Sequence, residues 1–266
     1  MSRVSLRHVS PLLLSLFLDL TAPSIQIYHR WLILHHHPVL SPQSGYNTPM
    51  DILFNDDHIL VVNKPSDLST IRGGWGKDAS SLVELLEADF GHIWVVHRLD
   101  KVTSGLVVFA RTAEAHRALN GQFEHHQARK LYHAIVVGVP AWDEHTARHP
   151  LRINVGHTHR TIVDHSKGKP SETTFHVLER FNGYALLAAS PITGRTHQVR
   201  VHAFALGLPL LADTLYNAPY TDLIQRPALH ARELVFTHPE SGEQVTFSAP
   251  YPEDFNLAME KIGASF

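Results

Sequence analysis

The order of the apolar runs constrains this chain most. Stretches of strand length rich in Val, Ile, Leu and Phe recur at 59–63, 105–110, 131–137, 173–178, 184–190, 229–237 and 244–248. Helical periodicity occupies 80–90, 114–126, 196–206 and 252–262, with a further short apolar run at 93–96. Helices are therefore interspersed irregularly among the strands. Asn182-Gly183 joins two of the strand runs directly, a hairpin signal, and residues 239–242 (Pro-Glu-Ser-Gly) join another two. A parallel βαβ repeat is excluded, and an α+β fold with a mixed, largely antiparallel sheet and flanking helices is expected. No repeat of fixed period occurs. The polar, histidine-rich stretch 140–170 reads as a loop or hairpin insert.

Composition narrows the chemistry. There is no cysteine, which removes disulfides, thiolate nucleophiles and cysteine-held metal sites, and fits a reducing compartment. The formal charge of −2 argues against a uniformly basic nucleic-acid binder, but it averages unlike parts. Residues 1–94 carry 6 Lys+Arg against 9 Asp+Glu, residues 95–200 carry 14 against 8, and residues 201–266 carry 3 against 8. The middle is thus net +6, and it holds 12 of the 22 histidines. A polyanion is the partner such a face would meet.

Residues 1–49 read differently. Arg3 and Arg7 precede an apolar run at 11–18 that Asp19 interrupts and that is too short to span a bilayer. A poorly ordered extension or presequence is expected over 1–49, and a single domain over 50–266. His35, His36 and His37 are adjacent, so they cannot all face one metal from a regular element; they read as part of the extension. The Gly73, Gly74, Gly76 loop is not a phosphate loop, because Ile71 occupies the place of the first glycine and Asp78 follows Lys77. No cofactor, metal or membrane partner is expected.

Three segments concentrate reactive groups. The first is His97-Arg98-Leu99-Asp100-Lys101-Val102-Thr103-Ser104-Gly105-Leu106, charged and hydroxyl residues between two buried-type runs. Read alone, it is equally an ordinary turn with Asp100 paired to Arg98. The second is Lys130-Leu131-Tyr132-His133-Ala134, where strand alternation puts Lys130, Tyr132 and Ala134 on one face. The third is Pro191-Ile192-Thr193-Gly194-Arg195-Thr196-His197-Gln198-Val199-Arg200-Val201-His202, a glycine-led turn opening a helix. Free N–H groups at a helix start favour anions, and Arg195 is suited to grip a phosphate or a carboxylate. Arg195 and Arg200, five apart, would project to different sides of that helix.

In this order the three segments resemble the RluA-type RNA pseudouridine synthases. Asn63-Lys64-Pro65 near the domain start adds to the likeness. So do Leu229-His230-Ala231, Phe236-Thr237-His238-Pro239 and Phe247-Ser248-Ala249-Pro250. The likeness spans about 51–256. It departs from the family at Ser66-Asp67, where a small glycine-containing pair is common, and at Ala212 and Asn217, where glycines are common.

The resemblance implies the pseudouridine synthase fold and isomerisation of uridine to pseudouridine in a tRNA or rRNA stem-loop. It implies Asp100 as the carboxylate acting on the sugar, Tyr132 as the active-site tyrosine and Arg195 as the cation that keeps Asp100 ionised. Arg98 is the candidate to fill the space of a flipped-out base. Arg148, Arg152, Arg160, Lys167 and Arg200 are candidate RNA contacts. A monomer acting in the cytoplasm is expected, with organellar import through the N-terminal segment as the other course. Two competing readings are a catalytically silent RNA-binding protein of the same fold and a metal-dependent hydrolase using pairs such as His157 and His159 or His125 and His126. Pseudouridine mapping separates the first from the enzyme, and metal analysis the second.

Overall fold

The computed structural model describes residues 51–72, 80–157 and 160–263. The expected extension over 1–49, the glycine loop and His159 lie outside these. The chain order is β1 (Asp51–Asn55), β2 (Ile59–Lys64), α1 (Leu82–Phe90), β3 (Trp94–Val95), β4 (Ser104–Ala110), α2 (Ala113–Glu124) and β5 (Arg129–Val137). Then follow β6 (Glu144–Ala147), β7 (Leu151–Val155), β8 (Arg160–Val163), β9 (Thr173–Arg180), β10 (Tyr184–Pro191) and α3 (Gln198–Ala205). A 3-10 turn (Thr214–Tyr216), β11 (Leu229–Thr237), β12 (Gln244–Ser248) and α4 (Glu253–Gly263) complete it.

Among the described residues, ten strands form one mixed sheet. Its main path runs β1-β2-β4-β11-β5-β10-β9-β6, with β3 on β4 and β12 on β11. Every pairing is antiparallel except β11 with β4, where His230 lies opposite Ser104 and Ala231 opposite Gly105. The expected α+β class holds. β11 is the seam: one half of the sheet (β1, β2, β4) comes from the chain before it, the other half (β5, β10, β9, β6) from the chain between. Gly105 (φ 110°) sits on this seam, and a Cβ there would stand 2.3 Å from the Ala231 carbonyl oxygen. Glycine is therefore required where β4 passes β11.

Both faces of each half are covered, which is why the central strands read as unbroken apolar runs. Under β2 and β4, Ile59, Val61, Leu106 and Val108 pack with Ala115 and Leu119 of α2. On the opposite face Leu60, Val62, Val107 and Phe109 pack with Leu82 and Leu86 of α1. In the other half, Ala134, Val136 and Leu187 meet Val199 and Ala203 of α3, while Ile135 and Leu186 meet Phe255, Ala258 and Ile262 of α4. Each such aliphatic side chain contributes on the order of 2 kcal/mol by leaving water.

Helix ends differ from the expected ones for local reasons. α1 starts at Leu82, not 80, because Ser81 caps it: its Oγ accepts from Glu84 N–H, and Glu84 Oε2 accepts from Ser81 N–H at 2.8 Å. α3 starts at Gln198, not 196, because His197 is left-handed (φ 56°, ψ 17°). The 140–170 insert contains three strands. β6 extends the sheet edge against β9, and β7 with β8 makes a separate hairpin. Their sparse burial explains the missing apolar signal. In the turn after β9 only Gly183 of the Asn-Gly pair takes a positive φ (80°).

The departures from the family pattern share one property. Asp67, Ala212 and Asn217 have φ of 62°, 63° and 61°. Asp and Asn tolerate this region, but alanine pays for its Cβ. Ala212→Gly is expected to raise stability by about 1 kcal/mol, read as a higher melting temperature at unchanged activity.

Candidate active site

The Asp100 loop crosses from β3 to β4 at the seam and is braced from several sides. Lys64 Nζ, fully buried, donates to the carbonyls of Pro65 (2.8 Å), Leu68 (2.8 Å) and Lys101 (3.2 Å). Burial, helped by Arg226, draws this ammonium down to about 7, with Asp100 and Asp67 opposing. Thr70 Oγ1 receives Leu99 N–H at 3.2 Å and donates to Leu99 O at 3.1 Å. Arg226 donates to Val102 O and Ser104 Oγ, both at 3.2 Å, and is itself held by both Asp254 carboxylate oxygens on α4. His230 Nδ1 lies 3.0 Å from Ser104 Oγ. Such bracing keeps the Asp100 backbone in place independently of its carboxylate.

The carboxylate faces a cavity of about 760 Å³ lined by, among others, Arg98, Lys130, Tyr132, Arg195 and Arg200. Its cation partner is Arg200, whose Nη1 lies 3.5 Å from Asp100 Oδ2. Arg200 also grips both oxygens of Asp213, Nε to Oδ2 at 2.7 Å and Nη2 to Oδ1 at 2.8 Å. Both side chains are buried, with 5% and 1% exposed. Burial alone would lower the guanidinium, but the Asp213 bonds and the Asp100 charge hold it above its ordinary value. His197 completes the group, its Nε2 lying 3.8 Å from Asp100 Oδ2.

This corrects the expectation for Arg195. It lies in the turn before α3, is exposed, and makes no ion pair among the described residues. The helical arithmetic failed because residues 195–197 are not helical: the left-handed His197 turns the chain just before α3. Ahead of the helix, Gln198 Oε1 accepts from Arg195 N–H at 3.0 Å and from the Thr193 hydroxyl at 2.6 Å. Asp100 does not pair with Arg98 either; that side chain is exposed at the cavity.

Tyr132 and Lys130 share a face of β5 as alternation requires, and both line the cavity. Burial, reinforced by the Asp100 charge, holds the Tyr132 phenol well above its usual value, so it stays protonated. Burial lowers Lys130 to about 8, and its Nζ has one long hydrogen bond, 3.4 Å to Thr193 O.

The other basic candidates lie outside the cavity lining. Arg148 is paired with Glu172 (2.9 Å) and Arg152 with Asp164 (3.2 Å). Asp164 also accepts Lys167 N–H at 2.9 Å, and Arg160 is half-buried on β8.

Sequence reasoning assigned no role to Lys64, His197, Asp213, Tyr216 or Arg226. Each acts across a fold-dependent distance, so no local spacing marked it. Among the described histidines, His202, His230 and His238 are buried and hydrogen-bonded. His97 Nε2 accepts Val108 N–H at 3.1 Å, and burial lowers it to about 3. His230 falls to about 4 through burial and reaches Ala249 O at 3.3 Å. Among the described residues, no group of three His, Asp or Glu is placed to hold a metal ion, and no helix is long and apolar enough to cross a membrane.

Residues 58–205 match the RNA pseudouridylate synthase family model. The dual-specificity RNA pseudouridine synthase RluA of Escherichia coli (strain K12) is 39% identical over 212 residues, covering 77% of this chain and 97% of that protein. The ribosomal large subunit pseudouridine synthase D of Zymomonas mobilis is 36% identical over 242 residues, covering 83% and 76%. Among solved structures, human RNA pseudouridylate synthase domain containing 1 superposes with a TM-score of 0.65 at 28% identity, covering 80% of this chain and 87% of that one. Both the sequence match and the shared architecture lead to one assignment: the chain belongs to the RluA-type RNA pseudouridine synthases.

Proposed function

We propose that this enzyme isomerises uridine in a tRNA or rRNA stem-loop, with Asp100 as the carboxylate that acts at the ribose C1′. The observation carrying this reading is the setting of Asp100, which faces a large cavity, is paired to buried Arg200 and lies beside a phenol kept protonated. The N-glycosidic bond breaks, the uracil turns, and C5 bonds to C1′. C5 loses a proton and N1 gains one, so nothing is consumed. A carboxylate suits this chemistry because it stabilises or traps an electron-poor sugar carbon.

Tyr132 is the group against which the uracil packs, and its retained proton is available to the base. Extruding the uridine costs a few kcal/mol, and Arg98 stacking in the vacated space offsets part of that. Arg195, exposed and without an acid partner among the described residues, is a phosphate contact at the cavity mouth in this reading. Residues 50–266 form the catalytic domain, acting as a monomer in the cytoplasm.

Incubating the purified chain with tRNA and rRNA transcripts and mapping pseudouridine tests the reading. New pseudouridine at a discrete position is expected. RNA binding without any product would instead favour a catalytically silent binder.

A further inference from the structure

His197 has three properties that the proposed chemistry does not use. Its backbone is left-handed (φ 56°), a region uncommon for residues other than glycine. Its Nδ1 lies 2.9 Å from Tyr216 Oη. Its Nε2 lies 3.8 Å from Asp100 Oδ2.

The Tyr216 hydroxyl has one proton and two lone pairs. It donates to Thr161 O at 3.2 Å and receives Thr161 N–H at 3.1 Å, both on β8. With the hydroxyl proton on Thr161 O, one lone pair remains for His197, and Nδ1 is then the donor. In a neutral imidazole the other nitrogen, Nε2, is then bare and faces the carboxylate.

We propose that His197 is a positioning residue for Asp100: Tyr216 fixes the ring proton on Nδ1, and the bare Nε2 leaves the carboxylate directed to Arg200 and the cavity. The proposal rests on the reading of Asp100 given above. A nitrogen lone pair and a carboxylate oxygen repel, so the favourable contact of Asp100 is with Arg200. The charged and titratable groups around His197 are Asp100, Arg200, Asp213 and Tyr216. Burial dominates and lowers His197, Asp100 and Asp213 oppose it, and Arg200 adds to it. The ring is thus neutral near pH 7. Once acid protonates Nε2, an imidazolium pairs with Asp100 and holds the carboxylate back from the sugar.

The test is the pH dependence of kcat and KM on a modified RNA for wild type, His197→Asn, Tyr216→Phe and Asp100→Asn. Asn suits the left-handed backbone, so His197→Asn removes the ring without forcing the chain. Wild type is expected to lose kcat on the acid side, and His197→Asn to lose it only at a lower pH. Tyr216→Phe deprives Nδ1–H of its acceptor, favours the Nε2–H form, and pins Asp100 at neutral pH. Its kcat is expected to fall about tenfold with KM changed by less than about threefold, the cost of one mis-set hydrogen bond.

An acid limb unmoved in His197→Asn, or losses carried by KM alone, would overturn the proposal. Nitrogen NMR of the wild-type ring gives a check that needs no variant: a neutral Nδ1–H form supports the proposal, and a neutral Nε2–H form overturns it. Turnover by Asp100→Asn would overturn the reading of Asp100 itself, a separate result.

Discussion

Asp100→Asn is expected to abolish pseudouridine formation, by roughly 10⁴-fold or more in turnover, while the protein folds and binds RNA as before. Amide for carboxylate changes no volume but removes the charge that meets the sugar carbon. The fold is spared because the Asp100 side chain is 24% exposed and its ionic contacts are long, at 3.5 and 3.8 Å. The loop is held instead by backbone bonds from Lys64, Thr70 and Arg226, and Arg200 keeps both bonds to Asp213. Because C5 loses its proton in the isomerisation, RNA labelled with tritium at C5 reports turnover as label released into water. The variant should release none above background while its affinity in a filter-binding assay stays near wild type. Measurable release would remove Asp100 from the chemistry.

The second large effect separates the two arginines. Arg200→Met leaves the Asp213 carboxylate, 1% exposed, buried with no guanidinium. Breaking a buried pair from one side costs about 3–5 kcal/mol, and denaturant unfolding should show it. The paired change Arg200→Met with Asp213→Leu is expected to recover most of that stability, because two apolar groups replace the pair, yet to remain inactive without a cation at Asp100. Arg195→Met, on the exposed turn, should alter stability by less than about 0.5 kcal/mol. If Arg195→Met abolished turnover with RNA binding intact, and the double variant stayed active, Arg200 would lose its place beside Asp100.

The two arginines also show where sequence reading stops. The Asp100, Tyr132 and 191–202 segments were legible because each is a dense polar run beside an apolar strand. The central strands were legible because they are covered on both faces. Choosing between Arg195 and Arg200 needed the left-handed turn at His197, which no periodicity announces. The 140–170 insert was legible only as a loop or hairpin, without strand bounds, because β6, β7 and β8 expose much of their surface and carry polar residues. Lys64 reaches Lys101 and Arg226 reaches Ser104 across 37 and 122 positions, separations that only a folded sheet makes short.

The seam has a consequence for synthesis. β4 and β5 are translated early, but the strand between them, β11, is among the last to emerge. A nascent chain that has reached residue 216 already contains Asp100, Tyr132, Arg200 and Asp213, yet it lacks the strand that seats one half-sheet against the other. It lacks Arg226 as well, and with it the tie from α4 to the Asp100 loop. Activity is therefore gated by completion of the polypeptide: incomplete chains, and products clipped before β11, carry every reactive group and no assembled centre.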